Sequence, residues 1–319
     1  MKILITGGAG FIGSNLADRL TARGDEVFII DNLKTGKLAN LRNLGITSIS
    51  SASFEGRGQQ FWFENIADAS LIRQIFNACK PDTVVHAAAT GVDPDAWQED
   101  VRSNVLGTVN VINSSLLNEV ERFIYLQTSL CYGLPKWSPI TLDHPINPTG
   151  SYAITKTAAE RFVFMSGLDY VSFRLCNCYG PRNWTGPIPV FYRRLKEGKQ
   201  CFVADTRREF VYIDDLLDLI LMAVDGTGKG IYHVSGGKDH QIEEIYYYVS
   251  FEMGETLPPG QRKRGKDDIA SILLDPSRTV NDFGFEPKVS LQEGIKRTIQ
   301  WYKTQGVEKV YTHLKGFDT

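Results

Sequence analysis

Apolar strand-like runs alternate with amphipathic helical stretches through the first half of the chain, the connections between them are short, and the first run ends in closely spaced glycines. Together these predict an α/β protein with a doubly wound parallel sheet, helices on both faces and ligands gathered at the carboxyl ends of the strands. The first run, Ile3-Leu4-Ile5-Thr6, enters Gly7-Gly8-Ala9-Gly10-Phe11-Ile12-Gly13, and a helix is predicted from Phe11 to about Arg23. Val27-Phe28-Ile29-Ile30 reads as a second strand ending at Asp31, and residues 60–63 as a third. A helix over 68–79 carries Leu71, Ile72, Ile75 and Phe76 on one face, with Asp68 as its cap. Strands at 83–86, 123–126 and 170–173 alternate with helices over about 97–118 and 151–166.

Beyond Arg174 the alternation loosens. Pro181, Pro187, Pro189 and the turn Asp225-Gly226-Thr227-Gly228-Lys229-Gly230 mark loops rather than a second regular sheet. Ile231-Tyr232-His233-Val234-Ser235 reads as a strand returning to the first domain. The expected division is therefore residues 1–174, with returning segments near 209–236, and a smaller interleaved α/β substrate domain over 175–319.

Composition narrows the function. The chain has 319 residues, 42% hydrophobic and 23% charged, with a net charge of −2 and no long basic run, which argues against nucleic acid and anionic membrane as partners. No apolar segment approaches membrane-spanning length, and the first apolar residues run straight into the glycines rather than into a cleavage site. Five cysteines, Cys79, Cys131, Cys176, Cys178 and Cys201, sit mostly in apolar runs without metal-ligand spacing, which suits reduced thiols in a cytoplasmic protein. No metal site is predicted.

The spacing Gly8-x-Gly10-x-x-Gly13, between a strand and a helix, is a dinucleotide fingerprint in its proper context. Glycine permits the tight turn, lets backbone approach a pyrophosphate and packs helix on strand, while the helix amino terminus faces the phosphates. Asp31, at the end of the second strand, is placed to bond a ribose 2′-hydroxyl, which favours NAD over NADP, with Lys34 and Lys37 tempering the preference.

A second stretch, Ser151-Tyr152-Ala153-Ile154-Thr155-Lys156, sets a phenol and an ammonium four residues apart on one helical face. A nearby cation favours phenolate and moves the phenol from its ordinary value of about 10 toward working pH, making Tyr152 a general acid and base. On an isolated helix the pair would be an ordinary surface feature. Here the strand at 123–126 also delivers the hydroxyl of Thr128 or Ser129 to the sheet's carboxyl edge.

These residues, with Asp31-Asn32-Leu33, His86-Ala87-Ala88-Ala89, Asn104-Val105-x-Gly107-Thr108, Thr128 to Gly133 and Tyr179-Gly180-Pro181-Arg182, resemble the extended short-chain dehydrogenase/reductase family. More narrowly they resemble its NAD-dependent nucleotide-sugar epimerases and dehydratases, on a Rossmann-like fold. The resemblance implies Thr128, Tyr152 and Lys156 as catalytic residues, with Lys156 also bonding the nicotinamide ribose. It implies a cofactor site of Gly7, Gly10, Phe11, Ile12, Gly13, Asp31, Asn32, Asn65, Ile66, Ala87, Ala88, Ala89 and Asn104, with Tyr152 and Lys156 touching the cofactor as well. Asn65 stands where the family often has an aspartate that bonds adenine, and the Ile66 backbone is the alternative. For substrate, the resemblance points to Asn177 and Arg208 at the nucleotide diphosphate, Thr90 and Ser129 near the sugar, and Arg278 as a further phosphate residue. The alternatives are an ion pair of Arg208 with Asp205 and a capping role for Arg278 around Asp275. Glu209 replaces the family's usual aspartate.

In the dehydratases an Asp-Glu pair follows the catalytic threonine; here Ser129-Leu130 take those places. Loss of water needs an acid and a base beyond the tyrosine, so the expectation is a 4-epimerase working through a 4-keto sugar on a nucleotide sugar, UDP favoured. Leu273-Leu274-Asp275-Pro276-Ser277-Arg278-Thr279 and Tyr311-Thr312-His313-Leu314-Lys315 are similar to enzymes of bacterial surface-polysaccharide (O-antigen) synthesis within this group. The rival readings are a dehydratase or other 4-keto enzyme, and a catalytically idle NAD-binding sensor. The family also implies a homodimer through a four-helix bundle from helices over 105–117 and 153–165. His86 is read as a backbone-positioning residue, Asp214-Asp215 as a helix cap, and Tyr246-Tyr247-Tyr248 as packing.

Overall fold

A computed structural model describes residues 1–46, 61–91, 93–264, 269–307 and 310. Gln60 of the predicted third strand, Val92 and the stretch 311–315 lie outside the described residues. The chain divides into two compact units: residues 1–131, 148–174 and 219–232, and residues 132–147, 175–218 and 233–319.

The first unit is built on β1 (Lys2–Thr6), α1 (Phe11–Arg23), β2 (Glu26–Asp31), β3 (Phe61–Phe63), α2 (Ala69–Cys79) and β4 (Thr83–His86). It continues through α3 (Trp97–Asp100), a π-wound segment (Val101–Gly107), α4 (Thr108–Leu117), β5 (Arg122–Thr128), α5 (Ser151–Met165) and β6 (Tyr170–Leu175). A late strand, β10 (Gly230–Val234), joins the same sheet. The order β3-β2-β1-β4-β5-β6-β10 reverses direction at β1, the switch point at which doubly wound sheets bind ligands. The strands β1, β2, β3, β4 and β5 pair in parallel, with Thr6 opposite Ile30 on one side and His86 on the other. These strands are buried on both faces, so they read as unbroken apolar runs rather than alternating ones. Leu4, Phe28, Trp62, Ile72, Phe76, Phe123 and Val163 close one face of the core. Asp68 caps α2 as expected, accepting from Ser70 N and Leu71 N at 3.0 Å each.

Four sequence expectations need correction: one helix, the second sheet, the domain limits and one cap. The helix predicted over 97–118 follows one helical path to Leu117 but winds wider across Val101–Gly107, a rare geometry that concentrates at functional sites. The second unit does hold regular sheet. There, β7 (Asn177–Tyr179), β9 (Arg207–Tyr212) and β11 (Asp239–Gln241) form a three-stranded sheet, and β8 (Phe202–Ala204) pairs with β12 (Gly260–Arg262). Four of these five strands have only three residues, too few to show a period. The domain limits shift accordingly. Residues 132–147 belong to the second unit, β9 pairs within it, and the segment assigned back to the first unit is 219–232.

The second unit also carries α6 (Pro187–Lys196), α8 (Ile242–Met253), α9 (Ser277–Phe283) and α10 (Leu291–Gln305), while α7 (Ile213–Val224) follows β9 directly. Asp215 does not cap α7; its carboxylate accepts from Lys288 N at 3.0 Å and Val289 N at 3.2 Å. No helix among the described residues is long and apolar enough to cross a membrane.

Candidate active site

The glycine turn is built by exclusion. Gly7 sits at φ +71°, and a Cβ there would lie 2.7 Å from Ala88 N. A Cβ on Gly13 would lie 2.3 Å from Gly7 O, and Gly10 N donates to the same carbonyl at 3.1 Å. Gly10 is the N-cap of α1 and offers no side chain, so the first-turn N–H groups stay open to an anion. The Asp31 carboxylate accepts from Ala9 N at 2.9 Å and Leu33 N at 2.7 Å, which ties the end of β2 to the turn. Burial pushes its carboxyl up despite those bonds.

The cavity above this turn is lined by Gly7, Gly10, Phe11, Ile12, Gly13, Asp31, Asn32, Asn65, Ile66, Ala87, Ala88 and Ala89, all cofactor candidates from the sequence. An open helix terminus, a glycine turn packed too closely to admit side chains and an acid at the end of β2 fit a dinucleotide. Thr90, expected near the sugar, also lines this cavity. Asn104 does not. Its amide accepts from Thr90 N and donates to Thr90 O, both at 2.9 Å, and donates to Thr155 Oγ1 at 3.0 Å, so it clamps the loop after β4 to α5. Sequence reasoning placed Lys34 near the cofactor by its charge and missed Ile30, Thr35, Glu64, Glu99 and Ser103 in the lining. Lys34, noted for its charge, forms an ion pair with Glu99 at 3.0 Å; no local pattern joins two residues so far apart in sequence.

Thr128 ends β5, and its Oγ1 accepts from Leu130 N at 3.2 Å; Ser129 is buried at the head of a short 3₁₀ turn. Tyr152 and Lys156 lie one turn apart at the start of α5. That helix is locked to the sheet: Tyr125 Oη and Gln127 Nε2 both donate to Lys156 O at 3.0 Å, and the buried Glu160 pairs with Arg174 at 2.8 Å while accepting from Ser172. Lys156 Nζ sits 4.0 Å from the centroid of the Tyr125 ring. Burial dominates both groups, pushing the Tyr152 phenol up to about 12, with Asp100 adding to it, and the Lys156 amine down to about 7 against the pull of Glu160. The expected drop in the phenol's value is therefore absent: burial and the Asp100 charge both raise it, and an amine near 7 carries only part of its charge at neutral pH.

His86 is committed on both ring nitrogens, to Thr6 Oγ1 at 2.6 Å and Thr108 Oγ1 at 2.9 Å, and burial pushes its imidazole down to about 3. Among the described residues no group of three His, Cys, Asp or Glu could hold a metal.

In the second unit, Asn177 on β7 and Arg208 on β9 lie on neighbouring strands. Asn177 Nδ2 donates to Glu209 O at 2.9 Å, and Arg208 Nη1 donates to Arg207 O at 2.8 Å and Ile269 O at 2.7 Å. Arg278, on α9, is half exposed and 3.6 Å from Asp282. Glu209 is fully buried; it accepts from Ser235 Oγ, from Gly236 N at 2.9 Å and from Leu274 N at 3.1 Å, and burial pushes it up to about 7. The sequence marked it only as a departure.

The chain is similar to two solved Bordetella bronchiseptica enzymes. WbmH, in complex with NAD+, is 43% identical with a TM-score of 0.88 over 96% of this chain and 99% of that one. WbmG, in complex with NAD and UDP, is 40% identical with a TM-score of 0.87 over 99% and 98%. A UDP-glucose 4-epimerase of Mycolicibacterium smegmatis is 30% identical over 96% of this chain and 99% of its own, and dTDP-glucose 4,6-dehydratases stand at similar identity. Residues 3–235 match the NAD-dependent epimerase/dehydratase family, so the chain belongs to that family: it is an NAD-dependent enzyme on a Rossmann-like fold.

Proposed function

We propose that the chain is a nucleotide-sugar 4-epimerase acting on a UDP-sugar, with Thr128, Tyr152 and Lys156 as its catalytic residues. The observation that carries this reading is the end of β5, where Thr128 is followed by Ser129 and Leu130 and not by the acid pair of the dehydratases. The family's reactions share a 4-keto sugar, and only elimination of water needs the extra acid and base. The likeness to a UDP-glucose 4-epimerase and to an enzyme solved with NAD and UDP supports the same choice.

NAD supplies a reversible hydride acceptor. The chain supplies the proton path: Tyr152 takes the proton of the sugar 4-hydroxyl as carbon 4 is oxidised and returns it on reduction, and Thr128 Oγ1 holds the reacting oxygen. Lys156, in its charged form, favours the phenolate and bonds the nicotinamide ribose. Asn177 and Arg208 hold the diphosphate, a guanidinium fork suiting phosphate. The exposed apolar residues Val101, Leu106 and Leu117, with Ile154, Phe162 and Met165 on α5, support a homodimer through these helices. A role in surface-polysaccharide synthesis follows the resemblance of the 273–279 stretch, and action in the cytoplasm follows the cysteines set in apolar runs.

NMR of UDP-, GDP-, CDP- and dTDP-sugars incubated with the protein tests the reading. The expected result is interconversion of a UDP-sugar and its 4-epimer, abolished to below about 1% by Tyr152→Phe, since general acid–base groups contribute roughly 10²–10⁴-fold. A product lacking water overturns it.

A further inference from the structure

Gly91 follows Thr90 in the loop after β4 and belongs to no glycine fingerprint. Its backbone carries no left-handed φ, so conformational freedom does not explain it. Space does. A Cβ at this position would lie 2.3 Å from Cδ2, 2.7 Å from Cγ and 3.0 Å from Cε2 of Tyr152. The bare backbone of Gly91 is thus pressed against the ring of the tyrosine that the proposed function makes the proton carrier.

We propose that Gly91 is a positioning residue for Tyr152, its missing side chain forming the seat that sets where the phenol points. The inference rests on Tyr152 as the base. Neither side of the contact yields easily. The Gly91 side is held because Asn104 fixes Thr90 through both its N–H and its carbonyl. The Tyr152 side is held because Thr155 Oγ1, the other partner of Asn104, donates to Ser151 O at 2.8 Å and Tyr152 O at 3.1 Å, while Ser151 Oγ donates to Asp100 Oδ2 at 2.6 Å. The near atoms are Cγ and Cδ2, at the root of the ring, so a methyl group at 91 swings the whole ring and carries the hydroxyl furthest. Misplacement of a reacting group by about 1 Å costs on the order of 10²-fold in rate.

The test compares wild type, Gly91→Ala, Tyr152→Phe and the double variant as full-length holoenzyme. Expected for Gly91→Ala are bound NAD and KM within about two-fold of wild type and a kcat lower by about 10²-fold. The double variant should be no slower than Tyr152→Phe, because a displaced hydroxyl and a missing one are the same loss. Absorbance titration of the phenol, as the difference from Tyr152→Phe, reads the ring without turnover. The charged and titratable groups that act on it are Asp100 from α3 and Tyr125 from β5, with Lys156 one turn along α5 over the Tyr125 ring, so a swung ring must show a changed titration midpoint. A Gly91→Ala enzyme with wild-type kcat and titration, beside an inactive Tyr152→Phe, overturns the inference. So does a full additive loss in the double variant. A fully active Tyr152→Phe instead overturns the assignment of the base, while the titration still reports whether Gly91 seats the ring.

Discussion

Gly7, Gly10 and Gly13 of the first unit line one hollow whose turn closes only without side chains, since a Cβ on any of them would press on neighbouring backbone, whereas Arg208 and Arg278 of the second unit hold long side chains against nearby acceptors of their own. A cradle made of backbone is complete before any ligand arrives, since its turn, its open helix terminus and its close approaches are fixed by folding. A guanidinium that is to grip a phosphate still needs acceptors when the phosphate is absent, and carbonyls such as that of Ile269 provide them. Sites defined by missing side chains are therefore legible from residue type, while sites defined by reaching side chains depend on partners that sequence does not name.

The largest effect should come from breaking the cradle. In Gly13→Ala the new Cβ would lie 2.3 Å from Gly7 O and 2.8 Å from Gly8 Cα, both backbone atoms that cannot rotate aside. Overpacking of this kind costs about 1–3 kcal/mol or more, and the displaced turn no longer fits a pyrophosphate. The purified variant should carry no NAD by absorbance ratio and should melt below wild type; retained stoichiometric NAD would show that the cradle is not needed.

Arg208 gives the next effect and tests the other half of the comparison. Loss of a charge-assisted bond to phosphate is worth roughly 1.5–3 kcal/mol, so Arg208→Ala should raise KM for the nucleotide sugar about 10- to 100-fold, with bound NAD unchanged. Arg208→Lys should recover little, because a single ammonium cannot reproduce the fork. An unchanged KM would leave Arg208 a tie for backbone carbonyls such as that of Ile269 and no phosphate residue.

How much could be read in advance follows the same division. The strands of the large sheet were legible because burial on both faces leaves long apolar runs, and Asp68 was legible because capping is local chemistry. The small sheets, the wide turn carrying Asn104 and the Lys34–Glu99 pair were not, since each depends on residues brought together by tertiary packing. The Tyr152–Lys156 spacing was legible and its electrostatics were not, because how deeply the helix packs decides whether desolvation or attraction wins.

Glu209 carries the smallest effect and the sharpest contrast between the units. It lies beside Arg208 yet faces inward, gathering Ser235, Gly236 and Leu274 onto β9. Burial raises its carboxyl from 4.5 to about 7, so between those values the folded chain holds a proton that the unfolded chain has released. Stability from this group must then fall as pH rises from about 4.5 to 7 and stay level above it, the reverse of a salt-bridged acid. Glu209→Gln removes the titration and leaves an amide donor facing donors such as Leu274 N, for a loss of about 1–3 kcal/mol. Denaturant unfolding at intervals from pH 5 to 8 reads both terms. The advantage of wild type over the variant should shrink toward pH 7, and a constant or growing advantage would mean that Glu209 is held ionised by its hydrogen bonds throughout.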